Sequence, residues 1–181
     1  MNRAKTMLFA AAISSTFWHL PKRRGRLSEI EHLLNVAVQM GNSAVGGVDY
    51  AHYWPMRSQS GTRKPLLTDD GDLTPVSRLF GLFGDLLPEA EVAEQLLATQ
   101  VYLWRMRRQR ELGYVVVNMG PNTAQLELRE LAGREIRVST MTGNAEGRVA
   151  PAVECAEKMA RSEPRWMEVP RQSVAVLRVL Q

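Results

Sequence analysis

The sequence predicts an α/β segment followed by a β-rich module, and two observations support this fold class. In the first half, an amphipathic helical pattern lies between two apolar runs, which is the order of a β-α-β unit with parallel strands. In the second half, short β-rich pieces are separated by Gly, Pro and Asn turns, as in an antiparallel β-sandwich-like module. We therefore expect a βαβα segment over residues 1–90 and a β-sandwich-like domain over residues 91–181.

The N-terminal elements are predicted from apolar runs and one capping signal. Residues 7–18 form an apolar run bounded by polar residues, typical of a strand buried on both faces. Ser28 followed by Glu31 is a capping-box pattern. A helix is therefore expected to begin there and to end at the glycines 46–47. A second strand is predicted over residues 48–55, where a proline closes it.

A polar loop and a second helix complete the first half. Residues 58–72 contain the sequence DDGD, which we interpret as a turn because the other ligand positions of a calcium loop are missing. Thr74 followed by Pro75 is a helix start. The apolar spacing through Phe83 then predicts the buried face of this helix.

Four strands are predicted in the second half, at residues 113–120, 123–131, 135–143 and 173–181. Two of them alternate apolar and polar residues, which is typical of strands with one face in the core. The pattern favours an antiparallel arrangement, because the connections are short turns.

The composition is that of a soluble globular protein, with 45% hydrophobic residues and a formal net charge of +4 in 181 residues. The single cysteine, Cys155, excludes an intrachain disulfide and is expected in a polar, helical context. The N-terminus has the basic-then-apolar order of a signal peptide, but no convincing cleavage site follows and the run is too short to span a bilayer. We expect a cytoplasmic protein or a component of an assembled particle, without membrane association.

The order of these pieces resembles the C-terminal part of retaining glycoside hydrolases of the arabinofuranosidase, xylosidase and agarase type. The motifs that carry the resemblance are STFWHL (15–20), GVDYAHYWPM (47–56), LLTDDGDLTPVSRLFGLFGDLL (66–87), YVVVNMGPNTAQLELREL (114–131) and VPRQSVAVLRVL (169–180). The resemblance implies a partial (β/α) barrel segment, the last two β/α units, followed by an antiparallel β-sandwich-like module. It covers nearly the whole chain.

The sequence departs from this family at the catalytic position. Aligning STFWHL with the family's Thr-Glu-Trp motif puts Phe17 where the family has its nucleophilic glutamate. Phenylalanine cannot attack an anomeric carbon or carry a glycosyl-enzyme intermediate. The resemblance also implies that the chain begins near the seventh barrel strand, so that the earlier strand with the acid/base carboxylate has no counterpart. We expect a degenerate active site and no catalytic residue.

Aromatic and histidine residues at the two strand ends are candidates for ligand binding. Trp18 and Trp54 could stack on a sugar, while neighbouring polar groups hydrogen-bond its hydroxyls; the full candidate set is Trp18, His19, His52, Tyr53 and Trp54. The alternative interpretation is that these side chains cover the strand ends as part of the core. Their spacing lacks the pattern of a metal site, so we expect neither a metal nor a cofactor.

Two basic clusters are candidates for contact with a polyanion or an acidic partner surface: Arg23 and Arg24 in KRRGR, and Arg105, Arg107 and Arg108 in RMRRQR. The alternative is that they are solvated charges of a loop and a helix. No nucleic-acid-binding signature accompanies them, so we do not expect a nucleic-acid partner.

Two barrel strands without the rest of the barrel would leave sheet edges open. The strands could join the β-rich half, or another chain could cover them through self-association or docking. The leading hypothesis is therefore a catalytically degenerate module that acts in binding or assembly, as a glycan-binding module or a structural component of a larger complex such as a virion. The alternatives are the C-terminal piece of an active glycoside hydrolase that needs the missing barrel half, and a polyanion-binding module.

Overall fold

The computed structural model describes residues 27–48, 65–84, 86, 90–108, 111–158 and 166–180. The strand predicted over residues 7–18 lies outside the described residues, and so does all but Val48 of the strand predicted over residues 48–55. The parallel β-α-β unit stays a prediction. Both predicted helices and the β-rich half are described.

Helix α1 (Glu29–Val45) begins at the predicted capping box. The side-chain oxygen of Ser28 accepts a hydrogen bond from the backbone N–H of Glu31 at 3.3 Å, and the Glu31 carboxylate accepts from the backbone N–H of Ser28 at 2.9 Å. These bonds satisfy donors that a helix N-terminus otherwise leaves unpaired. Gly46 ends the helix, as predicted.

Helix α2 (Pro75–Gly84) begins where Thr74 and Pro75 predicted it. The Thr74 hydroxyl accepts from the backbone N–H of Ser77 at 3.5 Å. The DDGD segment before it is a turn, as predicted, because the N–H of Thr68 donates to the carbonyl of Asp72 at 2.9 Å.

The described β-rich half forms a six-stranded and a two-stranded sheet, both antiparallel, as predicted. The strands are β1 (Glu91–Ala98), β2 (Val101–Arg108), β3 (Glu111–Asn118), β4 (Ala124–Glu127), β5 (Glu135–Thr142), β6 (Val153–Lys158), β7 (Trp166–Val169) and β8 (Ser173–Leu180). The larger sheet has the order β1-β2-β3-β8-β5-β6, and the smaller sheet pairs β4 with β7. Strand β8, near the C-terminus, is therefore central.

The six-stranded sheet has a hydrophobic core on each face. Helices α1 and α2 pack against one face, where the buried sheet residues include Trp104, Met106 and Val176. Strands β4 and β7 pack against the other face, where Tyr114 and Leu177 are buried. The helices of the first predicted segment thus share a core with the sheet of the second.

The first turn of α1 is joined to the connection between β5 and β6. The Glu29 carboxylate accepts from the backbone N–H of Val149 at 2.8 Å, and the N–H of Ile30 donates to the carbonyl of Gly147 at 3.1 Å. Gly147 has φ of 74°, and a Cβ there would lie 2.8 Å from Cβ of Ser28. Glycine is needed at this position both for the backbone conformation and for the close approach.

Two sequence predictions were wrong. Cys155 lies in edge strand β6, where it is exposed and pairs with Val138 of β5, and not in a helix. Arg105, Arg107 and Arg108 lie in strand β2 and not in a loop or helix. In both segments, pairing with a neighbouring strand overrides local helix-forming composition.

Candidate functional site

The predicted ligand-binding residues Trp18, His19, His52, Tyr53 and Trp54 lie outside the described residues, as do Phe17, Arg23 and Arg24. Their proposed roles stay predictions. Arg105, Arg107 and Arg108 are described, and their positions follow from the geometry of β2.

The three arginines do not share one face of the sheet. Arg105 and Arg107 are exposed and, because side chains alternate along a strand, lie on the face that carries β4 and β7. Arg108, at the end of β2, lies on the helix-bearing face, where it pairs with Glu111 at the start of β3 and its Nε donates to that carboxylate at 2.9 Å. The cluster is therefore divided between two surfaces.

Arg105 also has an acidic neighbour. Its guanidinium lies 3.5 Å from the carboxylate of Glu130, and both side chains are about half exposed. Pairing with Glu130 and Glu111 compensates two of the three positive charges locally. This strand is a weaker anion-binding surface than its sequence alone indicates.

Tyr114 lies beneath this charged pair and faces Arg105 directly across the β2–β3 ladder. The residue is 1% exposed. Burial, and secondly the neighbouring Glu130 carboxylate, raise the pKa of the Tyr114 phenol well above its usual range. The phenol therefore stays protonated and neutral beneath an exposed ion pair.

A pocket of about 320 Å³ opens beside the β1–β2 turn. Its apolar lining includes Val101, Val116, Leu126 and Val169, all buried. Its polar lining consists of Thr99, Gln100, Asn118, Asn122, Thr123 and Gln125, with Gly120, Pro121 and Ala124 completing the wall. None of these lining residues is charged.

Asn118 fixes the wall of this pocket. Its side chain is fully buried, and its amide nitrogen lies within hydrogen-bond distance of the carbonyls of Asn122, Val169 and Pro170 at 2.9, 3.1 and 3.1 Å. Its amide oxygen accepts from the N–H of Gly120 at 2.9 Å. The network ties the β3–β4 loop to the end of β7, so the pocket wall is held by one side chain.

Gln100 lies in the opposite wall of the pocket, and its backbone conformation is rare for a residue other than glycine. Its φ is 68°, in the left-handed region that favours glycine. The carbonyl of Gln100 accepts from the N–H of Met119 at 2.8 Å, which connects the β1–β2 turn to the β3–β4 loop.

Sequence reasoning missed this pocket. It interpreted the Gly-Pro-Asn segment 120–122 only as a turn between strands and assigned no strand to residues 91–108. The sequence NMGPNTAQ is dense in uncharged amide and hydroxyl side chains, and this feature could have indicated a polar binding pocket. The residues that form the rest of the pocket with it are distant in sequence.

Within the described ranges, no group of three or more His, Cys, Asp or Glu residues could hold a metal ion. No helix among the described residues is long and apolar enough to cross a membrane.

No protein-family model matches this sequence, and the search of curated proteins returned no match. The chain is similar in fold to solved glycoside hydrolases. The GH30 endoxylanase from Clostridium papyrosolvens C71 superposes with a TM-score of 0.60 at 13% identity, over 87% of this chain and 40% of that enzyme. The GH30 subfamily 8 xylanase from Clostridium acetobutylicum gives 0.63 at 12% identity, over 85% and 40%.

A second class of enzyme gives a similar result. The GH51 α-L-arabinofuranosidase from Thermotoga petrophila RKU-1 superposes with a TM-score of 0.60 at 12% identity, over 85% of this chain and 39% of that enzyme. The chain has a glycoside-hydrolase-like fold, as the motif resemblance predicted, and spans about two fifths of the length of these three enzymes.

Proposed function

We propose that this chain is a glycoside-hydrolase-like module without hydrolytic activity, which acts by binding a glycan or by assembling with another chain in a larger complex. The proposal rests on Phe17 in STFWHL, which the motif resemblance aligns with the family's nucleophilic glutamate, and the hydrolase-like fold of the chain supports making that comparison. Fold alone implies no chemistry, because function depends on the residues of the site.

The chemistry of retaining hydrolysis supports the loss of activity. That mechanism needs two carboxylates about 5 Å apart, one as nucleophile and one as acid/base. A phenyl ring at the first position removes the group that would bond to the anomeric carbon. An aromatic ring is, however, suited to contact with the apolar face of a sugar or of a partner protein.

The described architecture supports a binding or assembly role. A six-stranded sheet with a core on both faces is a rigid base on which strand ends and loops can present contacts. Within the described residues, no strand pairs with the outer edge of β6, where Val153 is 67% exposed. Open strand edges are sites at which chains associate.

One alternative is the C-terminal piece of an active glycoside hydrolase. The relative lengths of the two proteins favour this alternative, since the chain superposes on only 40% of the GH30 endoxylanase. In that case, the carboxylates would come from polypeptide beyond the superposed part. The isolated chain is inactive under both hypotheses, so hydrolysis that appears only when the missing part is supplied by another polypeptide distinguishes this alternative from the proposal.

The test begins with the purified full chain and two chromogenic substrates, an aryl β-xyloside and an aryl α-L-arabinofuranoside. We expect no turnover above buffer, and turnover that co-elutes with the protein would overturn the proposal. Light scattering across a dilution series then separates the two binding roles. A defined oligomer supports assembly, whereas a stable monomer whose glycan binding is weakened by Trp54→Ala supports a glycan-binding module.

A further inference from the structure

We propose that the pocket beside the β1–β2 turn binds a single neutral saccharide residue. This inference rests on the proposed binding role and names a ligand class for it. It uses none of the strand-end aromatic residues predicted from the sequence. The pocket is defined by residues 99–101 on one side and by Val116, Asn118, residues 120–126 and Val169 on the other.

The size of the pocket indicates a small ligand. Its volume of about 320 Å³ is at the lower end of the range of roughly 300–1,000 Å³ for small-molecule sites. That space suits one sugar ring and not an extended polymer segment.

The lining indicates a ligand that is neutral but polar. No lining residue carries a charge, so an ionised ligand would lose hydration without gaining a counter-charge. Of the apolar lining residues, the exposed Pro121 and the half-buried Ala124 offer surface to the C–H face of a sugar ring. The exposed side chains of Gln100, Thr123 and Gln125 supply amide and hydroxyl groups for the ring hydroxyls.

The pocket is also held in place before any ligand binds. The Asn118 network fixes the β3–β4 loop against the end of β7. Gln100 stays at φ of 68°, although glycine would adopt this conformation more easily. A positive φ is usual for one residue of a tight turn, so this conformation fits the two-residue connection between β1 and β2, and it places Gln100 in the pocket lining.

The experiment is a titration of the isotope-labelled full chain with D-xylose and L-arabinose, followed by backbone amide NMR shifts. We expect saturable shifts confined to residues 99–101 and 118–126, and no comparable shifts with D-glucuronate, which is charged. Shifts that do not saturate, or that lie elsewhere on the protein, would overturn the proposal.

Two variants test the named side chains. Gln100→Gly removes the rim amide but keeps the positive φ, and Thr123→Val removes a hydroxyl without changing the side-chain shape. Each should weaken binding by roughly fivefold, because a hydrogen bond contributes on the order of 1 kcal/mol. The matched control is Gln172→Gly, since Gln172 also has positive φ, at 46°, but does not line the pocket; it should leave the affinity unchanged.

The outcome is separable from that of the proposed function. Hydrolysis of aryl glycosides would contradict the non-hydrolytic role whether or not the pocket binds a sugar. If the chain is hydrolytically inactive and wild type, Gln100→Gly and Thr123→Val bind the sugar with equal affinity, only the saccharide-binding role of the pocket is contradicted.

Discussion

Gly41 of α1 lies directly on the indole of Trp104. A Cβ at position 41 would lie 2.2 Å from Cε2 of that ring. Trp104 is fully buried, and its ring is parallel to that of Tyr102, with 5.9 Å between the centroids. The missing side chain at position 41 allows the helix to approach the sheet closely, and this contact sets the spacing of the helix-bearing core.

Gly41→Ala should therefore destabilise the protein, although alanine is the better helix former. We expect a loss of about 1–3 kcal/mol, because overpacking against a buried ring outweighs the roughly 1 kcal/mol gained in helix propensity. Urea denaturation followed by circular dichroism measures the change. The matched control is Gly81→Ala in α2, where a Cβ meets nothing within 4 Å. That control should be neutral or stabilising, and a similar loss in both variants would refute the packing argument.

The elements that the sequence predicted well depend on interactions between close neighbours. Ser28 and Glu31 are three residues apart, and their reciprocal bonds form at the predicted helix start. Thr74 and Pro75 start α2 in the same local way. These signals do not depend on the rest of the fold.

The elements that the sequence missed depend on distant partners. Cys155 has a helix-like context, but its strand is defined by pairing with Val138. Arg105 lies in a strand because its segment pairs with Ala93 of β1 and with Tyr114 of β3. Tertiary pairing decides such segments, and one sequence does not contain that information in a local pattern.

The pocket could not be predicted for the same reason. Gln100 and Val169 line it together, although 69 positions separate them in the sequence. Neither residue lies in a local sequence pattern that indicates a binding pocket. Only the pairing of β2 with β3 and of β4 with β7 brings them to one place.

Asn118→Asp should destabilise the protein strongly near neutral pH. The amide nitrogen faces the carbonyls of Asn122, Val169 and Pro170, and a carboxylate there would oppose three acceptors without a hydrogen to donate. We expect a loss of about 2–4 kcal/mol. Thermal and urea unfolding at pH 7 measure it.

The pH dependence of this variant gives a further check. Burial among carbonyls raises the pKa of a carboxyl group in the folded state, so stability is lost as pH rises through that pKa and is partly restored in acid. Asn122→Asp is the control, because Asn122 is exposed and contributes its backbone carbonyl. If the loss of stability in Asn118→Asp does not become smaller in acid, the role of the Asn118 amide as a hydrogen-bond donor would be contradicted.

Tyr114 should make the protein sensitive to alkali. Its pKa in the folded state lies above the usual value, which is about 10. Above that pH the unfolded chain loses a proton that the folded chain keeps, so the free energy of unfolding falls by up to about 1.4 kcal/mol per pH unit. Below that pH the phenol is protonated in both states and has no such effect.

Tyr114→Phe should remove this part of the decrease in the free energy of unfolding at alkaline pH. Urea unfolding between pH 8 and pH 11 measures the slope for wild type and variant, using the range that the tyrosine reference value defines. Tyr102→Phe serves as the control for the loss of a tyrosine hydroxyl and should retain the wild-type slope. Equal slopes in wild type and Tyr114→Phe would show that the buried phenol is not responsible.

The arginines of β2 should bind a polyanion more strongly once their acidic neighbours are neutralised. Glu130→Gln releases Arg105 and Glu111→Gln releases Arg108, and each variant should elute from heparin at higher salt than wild type. Glu146→Gln makes the same change in net charge beside Arg148, away from β2. If β2 is an anion-binding surface, the two β2 variants shift further than this control, because local potential and not total charge governs binding. Equal shifts in all three variants would mean that only net charge matters, and the polyanion hypothesis for Arg105 and Arg108 would then fail.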